Sequence, residues 1–132
     1  MADELSWPVE EIPDEDSVFM RAHRDYFGHG ELLHGVFRNH GNGMSVNWEK
    51  HATAGDTRDQ AKLVMKDPNN YAVICMPVVG IRRIDDLRVE HTPKSTNRAH
   101  SDVIGLPQKG QQLTEIRFLL RKITTVVIPL TD

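Results

Sequence analysis

Arg21-Ala22-His23 is echoed far downstream by Arg98-Ala99-His100. An arginine fork matches the oxygens of a phosphate. A histidine near its free pKa takes up or gives away a proton at neutral pH. Two such units suggest one anionic substrate held between them, with Arg21 and Arg98 on the anion and His23 and His100 exchanging protons. Ser45 adds a hydroxyl, and Asp102 stands two residues beyond His100. The expected catalytic residues are therefore His23, His100 and Ser45, and the expected substrate-binding residues are Arg21, Arg98 and Asp102. Asp102 has two readings, orienting His100 or pairing with Arg98.

The elements that must carry these residues are strands. From Val18 to His23 the chain alternates, with Val18, Met20 and Ala22 on one side and Phe19, Arg21 and His23 on the other. Met44 to Trp48 alternates too, which sends Met44, Val46 and Trp48 to the core and leaves Ser45 and Asn47 opposite. If the chain is extended after Asn97, then Arg98, His100 and Asp102 share a face. Asn39-His40-Gly41-Asn42-Gly43 is a turn cluster and predicts a hairpin-like return between the apolar stretches beside it.

Thr53 to Asp56 reads as a helix start with a reciprocal cap, and that helix runs to about Met65. Asp67-Pro68-Asn69-Asn70 is a turn. Tyr71 to Val79 predicts a buried central strand whose end Pro77 places near an edge or bulge, and Ile81 to His91 a strand pair or a strand with a short turn. His91 to Asn97 is a loop. Leu113, Ile116, Leu120 and Ile123 are spaced for an amphipathic helix over 111–123, and Thr124 to Leu130 for a closing strand. The expected fold is α+β: a single compact domain over 18–132, with a mainly antiparallel sheet, about two helices and an extended acidic N-terminal arm over 1–17.

Other chemistries find less support. His29, His34 and His40 lie in glycine-rich segments without thiolate or carboxylate companions at ligand spacing, so no metal site is expected. Gly41-Asn42-Gly43 offers backbone N–H groups to a phosphate, but no P-loop or dinucleotide fingerprint accompanies it, so a hairpin turn is the favoured reading. Phe37 and Trp48 are able to stack a base, but alternating aromatics commonly pack in a core. Cys75, the one cysteine, sits in the apolar run Val73 to Met76 and reads as a buried structural thiol.

The chain has 132 residues, 39% hydrophobic and 27% charged, a globular composition of one-domain size. No apolar run approaches the ~20 residues of a membrane helix. The N-terminus lacks the pattern of a secretion signal, and a lone cysteine suits a reducing cytoplasm, so a cytoplasmic location is expected. The net charge of −3 is unevenly spread. Residues 1–20 hold seven acids and no base, leaving 12 acids against 16 bases in the rest. A basic body with an acidic arm suits phosphate groups, the arm being either a competitor for them or a solvated leader. Trp7 is its expected anchor.

The segments FMRAHRDYF, GVFRNHGNGMSVNWEK, VEHTP and NRAHSDVIG, followed by a terminal helix and strand, resemble an uncharacterised bacterial domain family over residues 18–128. The order of an early Arg, a Gly-Met-Ser segment and a late Ala-His carries that resemblance. The chain is also similar to ADP-ribosyltransferase-like and RNA 2′-phosphotransferase-like folds. That similarity implies a nucleotide held by Arg21 or His23 on the first strand and by Ser45 in a second motif. NAD as a cofactor comes with the transferase version, which also needs a late catalytic Glu, with Glu115 the nearest candidate but in a helical segment. The phosphotransferase version relies on Arg and His.

Two function classes remain open. One is a small enzyme acting on a nucleotide or on an RNA phosphate or ribose, either a transferase or a metal-independent nuclease. The other is a non-catalytic module that binds a nucleotide, RNA or a protein partner, as in a defence or toxin–antitoxin system.

Overall fold

Alternation shapes the first strand, β1 (Ser17–His23), whose even-numbered residues Val18, Met20 and Ala22 are buried. The computed structural model describes residues 7–131. After β1 come a 3-10 turn over Arg24–Tyr26 and a small hairpin, β2 (Phe27–Gly28) with β3 (Glu31–Leu32). The hairpin turns on His29 and Gly30, with φ of 52° and 81°. Two successive positive φ values match the twist of tightly linked antiparallel strands.

A 3-10 turn over His34–Val36 leads to β4 (Met44–Trp48), then to α1 (Ala54–Asp59) and its 3-10 continuation Gln60–Val64. Next are β5 (Tyr71–Pro77), α2 (Val78–Arg82), β6 (Arg88–His91), β7 (His100–Ile104), α3 (Gln111–Ile123) and β8 (Thr125–Ile128). The large sheet has the order β6-β7-β4-β1-β5-β8, and each pairing is antiparallel. The protein is an α+β domain, as its periodicities predict. Among the described residues, no helix is long and apolar enough to cross a membrane.

Period-two alternation divides the sheet into two faces. Val18, Met20, Met44, Val46, Trp48, Ile74, Met76, Val89 and Val103 form the core face, joined by Ile81 of α2 and Leu113, Ile116 and Leu120 of α3. Each of these large side chains stabilises the fold by roughly 1.5–3 kcal/mol on leaving water. The opposite face carries Arg21, His23, Ser45, Asn47, His100 and Asp102, partly roofed by α1. Thr53 caps α1 reciprocally with Asp56, each side chain accepting from the other's backbone N–H at 3.0 Å.

Several expectations give way. The helix expected over 53–65 is α-helical only to Asp59, tightens into 3-10 geometry, and is stopped by Met65 at φ 62°. The turn at 39–43 forms, with His40 N–H donating to Gly43 O at 2.8 Å, but residues 34–36 coil into a 3-10 turn and no hairpin results. β4 pairs instead with β1 and β7. Ile81 opens no strand, because Pro77 ends β5 and Val78 starts α2. Cys75 is only half-buried and lies on the same face as Arg21, where burial raises its thiol pKa.

The described part of the acidic arm packs on the helix side of the sheet. Ile12 enters the core, and Asp16 accepts from Trp48 Nε1 at 2.8 Å. Glu10 meets Lys50 and His51, and its own N–H donates to His91 Nδ1 at 2.9 Å. Trp7 lies under the Arg98 guanidinium, 4.7 Å from ring centre to Cζ. The arm is therefore across the sheet from Arg21 and His23.

Candidate functional site

Strand pairing sets the site. The β1–β4 ladder includes Val18–Trp48 and Phe19–Asn47 and then stops, whereas β1 stays paired with β5 through His23–Tyr71. Beyond Phe19 the sheet is therefore split on one side of β1. A cleft of about 520 Å³ opens there, deep enough to touch the core-side residues Met20, Met44 and Val46. That volume lies in the range of small-molecule sites.

Four of the six expected residues line this cleft: Arg21, His23, Ser45 and His100. Asp102 shares their face as the cross-strand partner of Ser45 but does not reach the cleft wall. Arg98 is a correction. β7 begins only at His100, so the alternation that aligned Arg98 with His100 is absent. Arg98 lies in the preceding turn, with its guanidinium against Trp7 and 3.8 Å from Glu10. It binds the arm on the helix side, and the repeat of Arg-Ala-His is no repeat in space.

Several lining residues escaped the sequence reading, Arg38, Lys94 and Tyr71 among them. Arg38 follows the 3-10 turn and donates to Tyr26 Oη at 2.8 Å. Lys94 comes from the 91–97 segment, where Lys94 and Asn97 exchange two backbone hydrogen bonds of 3.0 Å in a tight turn. Tyr71 stands beside both β1 residues, edge-on to His23 at 5.1 Å and 5.8 Å from the Arg21 Cζ. No motif marks them, because loops deliver Arg38 and Lys94. The exposed side chains Leu63 and Val64 line the wall contributed by the 3-10 continuation of α1.

The cleft is electropositive. Arg21, Arg38 and Lys94 line it with His23, His40 and His100, and among the described residues no Asp or Glu does. Arg21 is half-buried and donates to Thr57 O at 3.0 Å. Burial lowers its pKa, since desolvation disfavours the cation, but an arginine remains charged at neutral pH. A desolvated cation without a carboxylate is a place where an anion gains more than it would in water.

The wall is held by an amide cluster. Asn47 Nδ2 donates to Thr57 Oγ1 at 3.1 Å and to Gln60 Oε1 at 2.8 Å, and Asn97 Nδ2 donates to Asn47 Oδ1 at 2.8 Å. These bonds tie β4, α1 and the 94–97 turn into one unit, and satisfy an Asn47 that is only 5% exposed.

The histidines differ in which nitrogen is free. His100 Nδ1 has two neighbours, Thr92 O at 2.9 Å and Thr92 Oγ1 at 3.0 Å. The Thr92 hydroxyl donates its hydrogen to Asp102 Oδ2 at 2.8 Å, so both neighbours of Nδ1 are acceptors and Nδ1 carries the proton. His100 Nε2 is then an unprotonated acceptor, 3.3 Å from Ser45 Oγ. Burial, chiefly, lowers the His100 pKa, which favours this neutral form. His23 is arranged the other way: its Nδ1 accepts from Asp25 N–H at 3.0 Å, leaving the proton of the neutral ring on Nε2. His100 offers a lone pair at its free nitrogen, and His23 an N–H.

The alternative chemistries lose their geometry. Phe37 and Trp48 are almost wholly buried and unable to stack a base. Among the described residues, no group of three or more His, Cys, Asp or Glu side chains is placed to hold a metal ion. Glu115 lies on α3, which packs on the opposite side of the sheet from the cleft. No protein-family model matches the chain, and no curated protein or solved structure matches it.

Proposed function

We propose that this protein is a small enzyme that binds a phosphate-bearing ligand of nucleotide size in the split between β1 and β4, and moves protons on it with His100 and His23. One observation carries the reading: Arg21, Arg38 and Lys94 line a cleft that, among the described residues, no carboxylate lines. Phosphate oxygens would take the arginine forks. Tyr26, Tyr71, Leu63 and Val64 offer apolar surface for the rest of the ligand, such as a base. His100 Nε2 suits a general base, and His23 as its imidazolium, with Asp25 Oδ2 3.4 Å from Nδ1, a general acid. The bounded volume favours a mononucleotide or a chain end over a long RNA track.

Calorimetric titration with adenosine 5′-monophosphate and with inorganic phosphate, at two salt concentrations, tests the binding half. Salt-sensitive binding that Arg21→Ala weakens by at least ~10-fold is expected, equivalent to about 1.4 kcal/mol. Absence of binding by any nucleotide or short RNA overturns the reading. For the chemical half, product analysis with nucleotides and RNA dinucleotides should show turnover that His23→Ala and His100→Ala each cut by at least ~10²-fold. Binding without any product would leave the cleft as that of a non-catalytic nucleotide-binding module.

A further inference from the structure

We propose that Ser45 is a nucleophile, activated by His100 and held ready by Thr92 and Asp102, which accepts the phosphoryl group of a phosphate ester in the cleft. The choice of substrate rests on the function proposed above, whereas the nucleophile is argued from geometry alone.

The first observation is continuity. Ser45 Oγ, His100, Thr92 Oγ1 and Asp102 Oδ2 form one chain of contacts at 3.3, 3.0 and 2.8 Å. A nucleophile beside a base that a third group orients is the arrangement by which hydroxyls are activated. Here the orienting group is Thr92, through its carbonyl and its hydroxyl, and the carboxylate acts through that hydroxyl. As His100 takes the Ser45 proton, the imidazolium gains the nearby negative charge of Asp102 and two acceptors already in place.

The second observation is the interrupted ladder. Glu49 N–H donates to Ser17 O at 3.1 Å and Trp48 N–H to Ala99 O at 2.9 Å, so odd-numbered residues of β4 turn their backbone groups toward β1. After Phe19–Asn47 the next rung would join Arg21 and Ser45, and that rung is not formed. The backbone groups of Ser45 and Arg21 therefore point into the split that the cleft occupies. Their N–H groups are preformed donors for charge developing on a transferred group.

The step balances as a displacement. Ser45 Oγ forms a bond to phosphorus as the ester P–O bond breaks, and the Ser45 proton passes to His100 Nε2. His23, the acid of the proposed function, gives a proton to the departing oxygen and regains one from solvent, and His100 releases its proton to solvent. Water afterwards attacks the phosphoserine, His100 takes the water's proton, and Ser45 Oγ leaves and recovers it. In this scheme Ser45, His100 and His23 are catalytic, and Thr92 and Asp102 are positioning residues.

The test is covalent capture by diisopropyl fluorophosphate, read by intact-protein mass spectrometry and peptide mapping. One adduct on Ser45, with loss of fluoride, is expected, and none in Ser45→Ala. His100→Ala should slow labelling by at least ~10²-fold. Thr92→Val should slow it and move the acid limb of its pH profile, while Thr92→Ser restores both. Wild-type protein with an unlabelled Ser45, or His100→Ala labelled as fast as wild type, overturns the proposal. Because the probe is neutral and labelling is read without any nucleotide, a failure of anion binding and an absence of the nucleophile are separately visible.

Discussion

His100 meets Ser45 with one ring nitrogen and Thr92 with the other, at 3.3 Å on the Nε2 side and 2.9–3.0 Å on the Nδ1 side. The two contacts together fix the tautomer. Thr92 has only acceptors to offer, because its hydrogen is committed to Asp102, so the free lone pair of His100 must face the cleft.

The pH dependence of this residue follows. Burial, the largest influence, lowers its pKa below 6.5, with Lys94 and His91 acting in the same sense, against Thr92 O and Asp102. The unfolded chain then binds the proton more readily than the folded one. Between the folded pKa and about 6.5, stability falls as pH falls. Urea unfolding across that window should show an acid-side loss that His100→Gln reduces. An imidazole titration by NMR with a midpoint at or above 6.5 would contradict the burial argument.

Arg21 separates binding from stability. Its guanidinium is desolvated with no carboxylate on it among the described residues, and Thr57 O is its hydrogen-bond acceptor. Truncation removes one charge-assisted bond, worth about 1.5–3 kcal/mol, and also removes the cost of burying the cation. Arg21→Met should therefore change folding stability by less than about 2 kcal/mol while weakening anion binding by ~10-fold or more. Parallel denaturation and titration measurements check this. A severe loss of stability with intact binding would make Arg21 a structural residue.

The arm has its own signature. Hydrogen bonds from Lys50 and then His51 hold the Glu10 carboxyl down at about 2. A carboxylate with a depressed pKa stabilises the fold above its unfolded value near 4.5, and that contribution fades as pH drops toward 2. Glu10→Gln should lower the Tm at pH 7, and the gap to wild type should close in acid. Nucleotide binding should be unaffected, since the arm lies on the other side of the sheet.

Gly43 is a steric hinge between the 40–43 turn and β7. A Cβ there would stand 2.9 Å from Val103 O and 3.1 Å from Asp102 Cβ, and backbone on the neighbouring strand yields poorly. Gly43→Ala should cost about 1–3 kcal/mol by overpacking, read from the urea midpoint. It should also displace Asp102, and so shift the pH profile of Ser45 labelling.

The sequence alone determined which side chains share a face. Period-two alternation in Ser17–His23 and Met44–Trp48 separates Arg21, His23 and Ser45 from the buried Met20, Val46 and Trp48, because a strand admits only two directions for its side chains. The 111–123 helix was equally legible, its buried Leu113, Ile116 and Leu120 falling on one helical stripe. Arg98 shows the limit of that logic. The repeated Arg-Ala-His looked like a second half-site, yet local alternation holds only inside a strand, and β7 begins two residues too late for Arg98. Thr92, Arg38 and Lys94 carry no pattern because loops deliver them. Only the tertiary structure decided where the β1–β4 ladder stops, and with it the cleft. Register and splay depend on packing between distant segments, and no local period records them.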